Sequence, residues 1–180
     1  MLLTLSGPSA VGKDSTWVRI AETLGFSREV PFTSRHMRTG EIDHRDYHFV
    51  NKEEFQRLIR DNKLTEWDYA LGNYYGTAIS LRERLMSGEN IVMQVLGRMA
   101  LRLKRSFPQT HTIILATSEI ETLEQRLIQR GYTCDELRQR VLHGLEELTH
   151  APLFDLVVPD ADIMTDFDVT RILQDISISQ

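Results

Sequence analysis

Gly7-Pro8-Ser9-Ala10-Val11-Gly12-Lys13-Asp14 follows an apolar run, Met1 to Leu5, and precedes a helical pattern from about Ser15 to Leu24. The order is strand, glycine-rich turn, helix. The spacing G-x-x-x-x-G-K is that of a loop that wraps a phosphate. The two glycines let the backbone curl so that successive N–H groups point at one anion. The helix that follows adds its positive N-terminal end. Lys13 adds a mobile point charge for the outer phosphates. The expected cradle is Gly7, Pro8, Ser9, Ala10, Val11, Gly12, Lys13, Asp14 and Ser15. The pattern calls for Ser or Thr directly after the lysine, to hold a magnesium ion. This chain has Asp14 there, with Ser15 and Thr16 following. A glycine-rich turn that binds nothing is the alternative, and the strand-before, helix-after context disfavours it.

Outward from the loop, 180 residues allow one domain, or one domain with an inserted lobe. Apolar residues make up 41% and charged residues 26%, as in an ordinary globular protein. The net charge of -5 argues against a nucleic-acid-coating surface, though not against a local basic pocket. Lys13, Lys52, Lys63 and Lys104 are the only lysines among 21 basic residues. The rest are arginine, whose fork grips phosphate in two places, although codon bias explains such an excess equally well. Cys134 is the single cysteine, so an intrachain disulfide is impossible and a reducing, cytoplasmic setting is expected. No cysteine or histidine cluster has zinc-site spacing. The N-terminus does not read as a signal peptide, and no apolar stretch reaches the ~20 residues of a membrane span.

Further along, a short strand is expected over Val30 to Thr33 and an exposed loop from Ser34 to Asp46. Tyr47 to Val50 alternates like a strand. Asn51 with Glu54 forms a capping box for a helix with Phe55, Leu58 and Ile59 on its apolar face. Leu64 to Ala70 and Asn73 to Ala78 read as two strands around a Gly72-Asn73 turn. A short helix over Leu81 to Met86 ends at Gly88. Ile91 to Leu96 and Thr112 to Ala116 are continuous apolar runs, as in strands buried on both faces. Helices are expected from Arg98 to Arg105, from a Ser118/Glu121 capping box to Arg130, and over Asp135 to Leu148 after a break at Gly131 to Cys134. Leu156 to Val158 reads as a last strand and Val169 to Ile176 as a last helix. The alternation implies an α/β, three-layer fold: a parallel sheet with helices on both faces. Residues 31–78 break the alternation and form a small inserted lobe of mixed strands; 1–30 and 79–180 form the core.

Several segments of this lobe resemble guanylate kinase. They are Thr33-Ser34-Arg35-His36-Met37-Arg38-Thr39-Gly40-Glu41, Arg45-Asp46-Tyr47-His48-Phe49-Val50, Glu66-Trp67 and Gly72-Asn73-Tyr74-Tyr75-Gly76-Thr77. Gly7-Pro8-Ser9, Arg126-Leu127, Arg130-Gly131, Arg140 and His150-Ala151-Pro152 extend the resemblance to about residue 160. The resemblance implies an ATP-dependent kinase with magnesium, acting on the phosphate of GMP. It puts Arg35, Arg38, Tyr47 and Tyr75 on the acceptor phosphate, Glu66 and Thr77 at the guanine, and Arg126, Arg130 and Arg140 in a lid (about 126–141) over the transferring group. Lys13, Arg38, Arg126, Arg130 and Arg140 would be the catalytic set. The residues themselves agree in kind. Arg35 and Arg38 stand three apart beside tyrosines, suited to clamp a phosphate, and a carboxylate such as Glu66 accepts two N–H bonds at once. Taken singly, the lid arginines also read as solvated helix charges, Tyr74 and Tyr75 as strand packing, and Glu66 as a surface residue. Their joint order favours function. A lid that excludes water is expected to close over such a site.

Departures from the family's pattern cluster on the base and metal side. Pro31 stands where a serine helps read the guanine, and Gln94 and Leu96 stand where the family carries an Asp-x-Asp pair. Pro159 replaces an asparagine near the adenine. Asp14 is therefore read as a magnesium ligand replacing both the missing hydroxyl and a lost aspartate. The alternative is that Asp14 complements the helix N-terminus while Ser15 takes the metal. The Gly12-Lys13-Asp14-Ser15 loop also resembles ribose 1,5-bisphosphate kinase, which phosphorylates a sugar phosphate. A guanylate-kinase-like binding module without catalysis is a third reading.

Overall fold

The computed structural model describes residues 1–117 and 119–159. Its centre is β1 (Leu2–Ser6), whose five residues are all buried. A buried strand needs neighbours on both sides for its backbone N–H and C=O groups. β7 (Ile91–Gln94) and β8 (Thr110–Leu115) supply them, both parallel to β1. β2 (Ser27–Arg28) and β9 (Leu156–Val158) extend the sheet outward, giving the order β2-β7-β1-β8-β9.

Side chains alternate across each strand, so this sheet has two apolar faces. On one, Leu3, Leu5, Val92, Ile113 and Leu115 pack against Trp17 and Ile20 of α1 (Lys13–Leu24) and Leu123 of α5 (Ile120–Gln129). On the other, Leu2, Ile91, Met93 and Ile114 meet Leu81 of α3 (Leu81–Met86) and Met99 and Leu103 of α4 (Gly97–Ser106). Each fully buried aliphatic or aromatic side chain contributes roughly 1.5–3 kcal/mol relative to exposure. The Trp17 indole N–H is satisfied by the Val92 carbonyl at 3.0 Å. The three-layer α/β expectation holds.

Residues 32–78 form a second sheet, ordered β4-β3-β6-β5. β3 (Phe32–Thr33) runs parallel to β4 (His48–Phe49) and antiparallel to β6 (Asn73–Ala78), which pairs antiparallel with β5 (Leu64–Ala70). α2 (Lys52–Arg60) covers one face: Phe55 is fully buried and stacks on Tyr74, ring centroids 5.2 Å apart. In the register, Glu66 opposes Thr77 and Asp68 opposes Tyr75. Opposed residues share a face, so these four side chains sit on the side away from Phe55.

Several boundaries differ from the sequence reading. β2 is an extra two-residue strand, and the strand expected over Val30 to Thr33 starts only at Phe32, because Pro31 has no N–H for a ladder. The β5–β6 turn is Leu71-Gly72, both at positive φ (51° and 77°), rather than Gly72-Asn73. Two left-handed residues match the twist of a two-residue hairpin, and Asn73 is left to open β6. The run Ile91 to Leu96 is strand only to Gln94, and Leu96 instead leads into α4. α6 (Cys134–Thr149) is opened by a capping box of Thr133 and Glu136. α5 begins at Ile120 after Glu119, which gives no side-chain cap. Ser118 and the helix expected over Val169 to Ile176 lie outside the described residues. The Asn51/Glu54 capping box is formed as expected.

The chain crosses between the sheets after β2 and again at the end of β6. Glu29, 4% exposed, joins the two crossings. Its carboxylate accepts from Arg84 of α3 and from the Ala78 backbone N–H. Burial pushes the Glu29 carboxyl above its usual 4.5, against the pull of Arg84. Arg84→Ala leaves a buried carboxylate without its cation, and we expect a loss of about 2–3 kcal/mol in urea unfolding at pH 7. A group whose folded-state pKa is raised loses its contribution as pH rises. The penalty should therefore shrink below pH 4.5, where Glu29 is protonated in both states.

Candidate active site

The ends of β1 and β7 meet on one edge of the parallel sheet, where α/β folds bind ligands. Ser6 Oγ donates to the Val95 carbonyl at 3.0 Å, tying the loop after β1 to the turn before α4. The loop runs from Gly7 to Gly12. Gly7 sits at φ 138°, and a Cβ there would lie 2.4 Å from the Leu115 carbonyl oxygen, so only glycine fits. No side chain caps the N-terminus of α1, which opens at Lys13 behind a left-handed Gly12. That end therefore presents its N–H groups and partial positive charge to the cleft.

Lys13 Nζ donates to the Gly7 and Pro8 carbonyls at 2.6 and 2.7 Å, folded back over the loop. Burial pulls its pKa below the usual 10.5, while the carboxylates of Glu147 and Asp14 oppose that shift. Asp14 faces the cleft, and its Oδ1 accepts from Gln94 Nε2 at 3.1 Å. Ser15 turns away: its Oγ donates to the Gly12 carbonyl at 2.9 Å.

A solvent-open cleft separates this wall from the second sheet and its loops. On the far side Arg35 is 8% exposed, and its fork donates to both oxygens of Glu41 at 2.7 and 2.9 Å. Glu41 Oε2 also accepts from the Arg38 backbone N–H at 2.7 Å. Burial alone would raise the Glu41 carboxyl; the Arg35 and Arg38 bonds outweigh it and hold the pKa below 4.5. Arg35 lies over the Tyr47 ring at 5.2 Å. Burial, with Tyr75 nearby, pushes the Tyr47 hydroxyl above its usual 10, so it stays a neutral donor.

From the third side come Arg130, at the end of α5, and Arg140 of α6. The Tyr132 ring lies 3.9 Å from Arg140 and 5.7 Å from Arg38, linking this segment to the loop of Arg35 and Glu41 by cation–π contact. Glu147, 7% exposed, closes the floor: its Oε1 accepts from the Gly97 N–H at 2.8 Å. One cleft thus has a phosphate loop and lysine on one wall and a carboxylate-anchored arginine pair on the other. It can hold two anionic groups face to face.

A family model described as guanylate kinase matches residues 1–175. The chain belongs to the guanylate kinase family. The guanylate kinase of Bacillus cereus is 35% identical over 167 residues, covering 91% of this chain and 82% of that one. That of Fusobacterium nucleatum is 35% identical over 164 residues, covering 90% and 89%. The crystal structure of guanylate kinase from Anaplasma phagocytophilum superposes with a TM-score of 0.77 at 23% identity, covering 100% of this chain and 86% of that one, and shares the fold.

The residues expected from the guanylate kinase resemblance fall into two groups. Gly7, Ser9, Ala10, Gly12, Lys13, Asp14, Arg35, Arg38, Tyr47, Tyr75, Arg130 and Arg140 all line the cleft. Six others do not reach its lining. Pro8 packs against Gly144 of α6, where an added Cβ would stand 3.0 Å from Pro8 Cβ. Val11 is buried in the core, and Ser15 is turned to Gly12. Arg126 Nη1 donates to the Ala10 carbonyl at 3.1 Å. Glu66 and Thr77 lie further along the face that carries Tyr75; Thr77 is fully buried and donates to the Glu66 carbonyl at 3.4 Å. Of the departures, Pro31, Gln94 and Leu96 line the cleft too. Sequence reasoning missed Glu147 and Tyr132, and it gave Glu41 no task. Glu41 carried a usable signal, an acid six residues after Arg35 in a polar loop.

Glu41→Gln removes the charge that holds the Arg35 guanidinium and the Arg38 backbone. We expect kcat/KM for the acceptor to fall about 10- to 100-fold, mainly through KM, with KM for ATP unchanged. Steady-state kinetics with each substrate varied in turn measures the split.

Proposed function

We propose that this chain transfers the terminal phosphoryl group of ATP to the phosphate oxygen of GMP. The bond from the γ-phosphorus to its bridging oxygen breaks, a bond to a GMP phosphate oxygen forms, and the products are ADP and GDP. The observation that carries the reading is the opposition, across one cleft, of the Lys13 loop and the Arg35–Glu41–Arg38 cluster. Relatives that are guanylate kinases support the choice of nucleotide. The sugar-phosphate and binding-module readings are not favoured.

In this reading the loop N–H groups and Lys13 hold the donor phosphates, while Arg38, Arg35 and the Tyr47 and Tyr75 hydroxyls hold the acceptor phosphate. Arg130 and Arg140 neutralise charge on the group in transit, and Arg126 braces the loop from behind. No general base is required, because the attacking oxygen is already anionic; positioning and charge neutralisation carry the rate. Glu66 and Thr77 would meet the base. Residues 31–78 act as the acceptor lobe and 126–141 as the lid, closing to exclude water. The net charge of -5 fits a small-molecule partner rather than nucleic acid. Among the described residues no helix is long and apolar enough to cross a membrane. The single cysteine, Cys134, is exposed and fits a reducing, cytoplasmic setting.

Magnesium suits this site. Among the described residues no group of three or more acidic, histidine or cysteine side chains could hold a metal ion alone. Magnesium instead commonly takes one or two carboxylates and completes its shell with phosphate oxygens and water. Asp14 would be that carboxylate, through the oxygen not bonded to Gln94, and the ion would neutralise phosphate charge.

An ATP-consumption assay against GMP, dGMP, other nucleoside monophosphates and ribose 1,5-bisphosphate tests the reading. ADP release with GMP is expected; turnover confined to ribose 1,5-bisphosphate overturns it. Asp14→Ser should shift the magnesium concentration for half-maximal rate, by about tenfold for one lost charged ligand. An unchanged magnesium dependence removes Asp14 from the metal shell.

A further inference from the structure

Arg102 of α4 reaches across to the second sheet and spends its whole fork on β5. Its Nε donates to Glu66 Oε1 at 2.7 Å, Nη1 and Nη2 to Asp68 Oδ2 at 3.3 and 3.2 Å, and Nη2 also to the Trp67 carbonyl at 2.9 Å. Arg98, one turn earlier, approaches Asp68 Oδ2 at 3.4 Å. Glu66 Oε1 accepts a second bond, from the Trp67 N–H at 3.3 Å. A carboxylate oxygen has two lone-pair sites, and both on Oε1 are taken. Oε2 is the oxygen left for a ligand.

We propose that Arg102 is a specificity-determining residue: by holding one oxygen of Glu66, it reduces that carboxylate's grip on a nucleobase from two prongs to one. The inference rests on the reading of Glu66 as base-facing given above. Guanine offers a parallel pair of donors, N1–H and the 2-amino group; hypoxanthine offers N1–H alone. A carboxylate with both oxygens open rewards the pair. One restricted to Oε2 meets only one of two parallel donors in line and leaves the other bent, so it binds either base nearly as well. The neighbouring substitutions do not restore the distinction. Reading the 2-amino group takes an acceptor: the Pro31 and Leu96 side chains carry none, and Gln94 engages Asp14. The acceptor range is therefore 6-oxopurine nucleoside monophosphates rather than GMP alone.

The test is kcat/KM for GMP and for IMP, with ATP saturating, in the wild type, Arg102→Gln, Arg102→Met and the double variant Arg102→Gln/Glu66→Gln. The wild-type GMP:IMP ratio should lie within about tenfold. It should rise about tenfold in both single variants, through KM for GMP, the worth of one hydrogen bond to a charged group. It should return to the wild-type value in the double variant. A ratio taken on one preparation does not depend on the fraction folded. A wild-type ratio above about a hundred overturns the inference without any variant. So does a ratio unmoved in the single variants, or a rise that persists without the Glu66 carboxylate. Wild-type enzyme inert toward both nucleotides would overturn the functional reading itself, and this inference with it.

Discussion

Five cations, Lys13, Arg35, Arg38, Arg130 and Arg140, surround one cleft, and their mutual repulsion is the constraint the site is built around. Two unit charges 4 Å apart repel by roughly 4 kcal/mol near a protein surface. The fold offsets this with partners of graded strength. Arg35 has a bidentate carboxylate, Glu41, six residues on in the same loop. Lys13 has two backbone carbonyls and the field of Glu147 and Asp14. Arg140 and Arg38 share the face of a tyrosine ring. The strongest anchor falls on Arg35, and the contacts of Lys13, Arg38 and Arg140 are weaker.

Much of this fold was legible because its signals are local. The apolar runs of β7, β8 and β9, the Asn51/Glu54 capping box and the glycine spacing of the loop each depend on a few adjacent residues. The paired strands β5 and β6 were placed to the residue, although their turn slid by one because a leucine occupies a left-handed position that usually goes to glycine or asparagine. The two-residue strand β2 had no periodicity to show.

The hidden features are those that cross the chain. Glu147 meets Gly97 fifty residues away, and Arg102 meets Glu66 thirty-six away. Nothing in a helical pattern marks one arginine or glutamate among several as the one that turns inward. Sequence could flag Asp14 and Gln94 as substitutions, but not that they touch. The structure joins them by a hydrogen bond. The carboxylate that the family resemblance leads one to expect at the strand end is missing there, while Asp14 brings one to the start of α1, oriented by the Gln94 amide. Two departures that looked separate thus form one rearranged pair.

The crossing between the two sheets has a mechanical meaning. The chain leaves the parallel sheet beside Glu29 and comes back beside Ala78, and one buried carboxylate binds both places. Two attachments set far apart would lock a leaf against its frame, or let it slide and tear hydrogen bonds. Two attachments pinned side by side leave the covalent chain one easy motion, a swing about the line through them, and the Arg102 bonds to Glu66, Asp68 and the Trp67 carbonyl are a third tie across that swing. A swing of the second sheet as a rigid leaf, with Phe55 and Tyr74 still stacked behind it, therefore has to carry or break the bonds between Arg102 and β5.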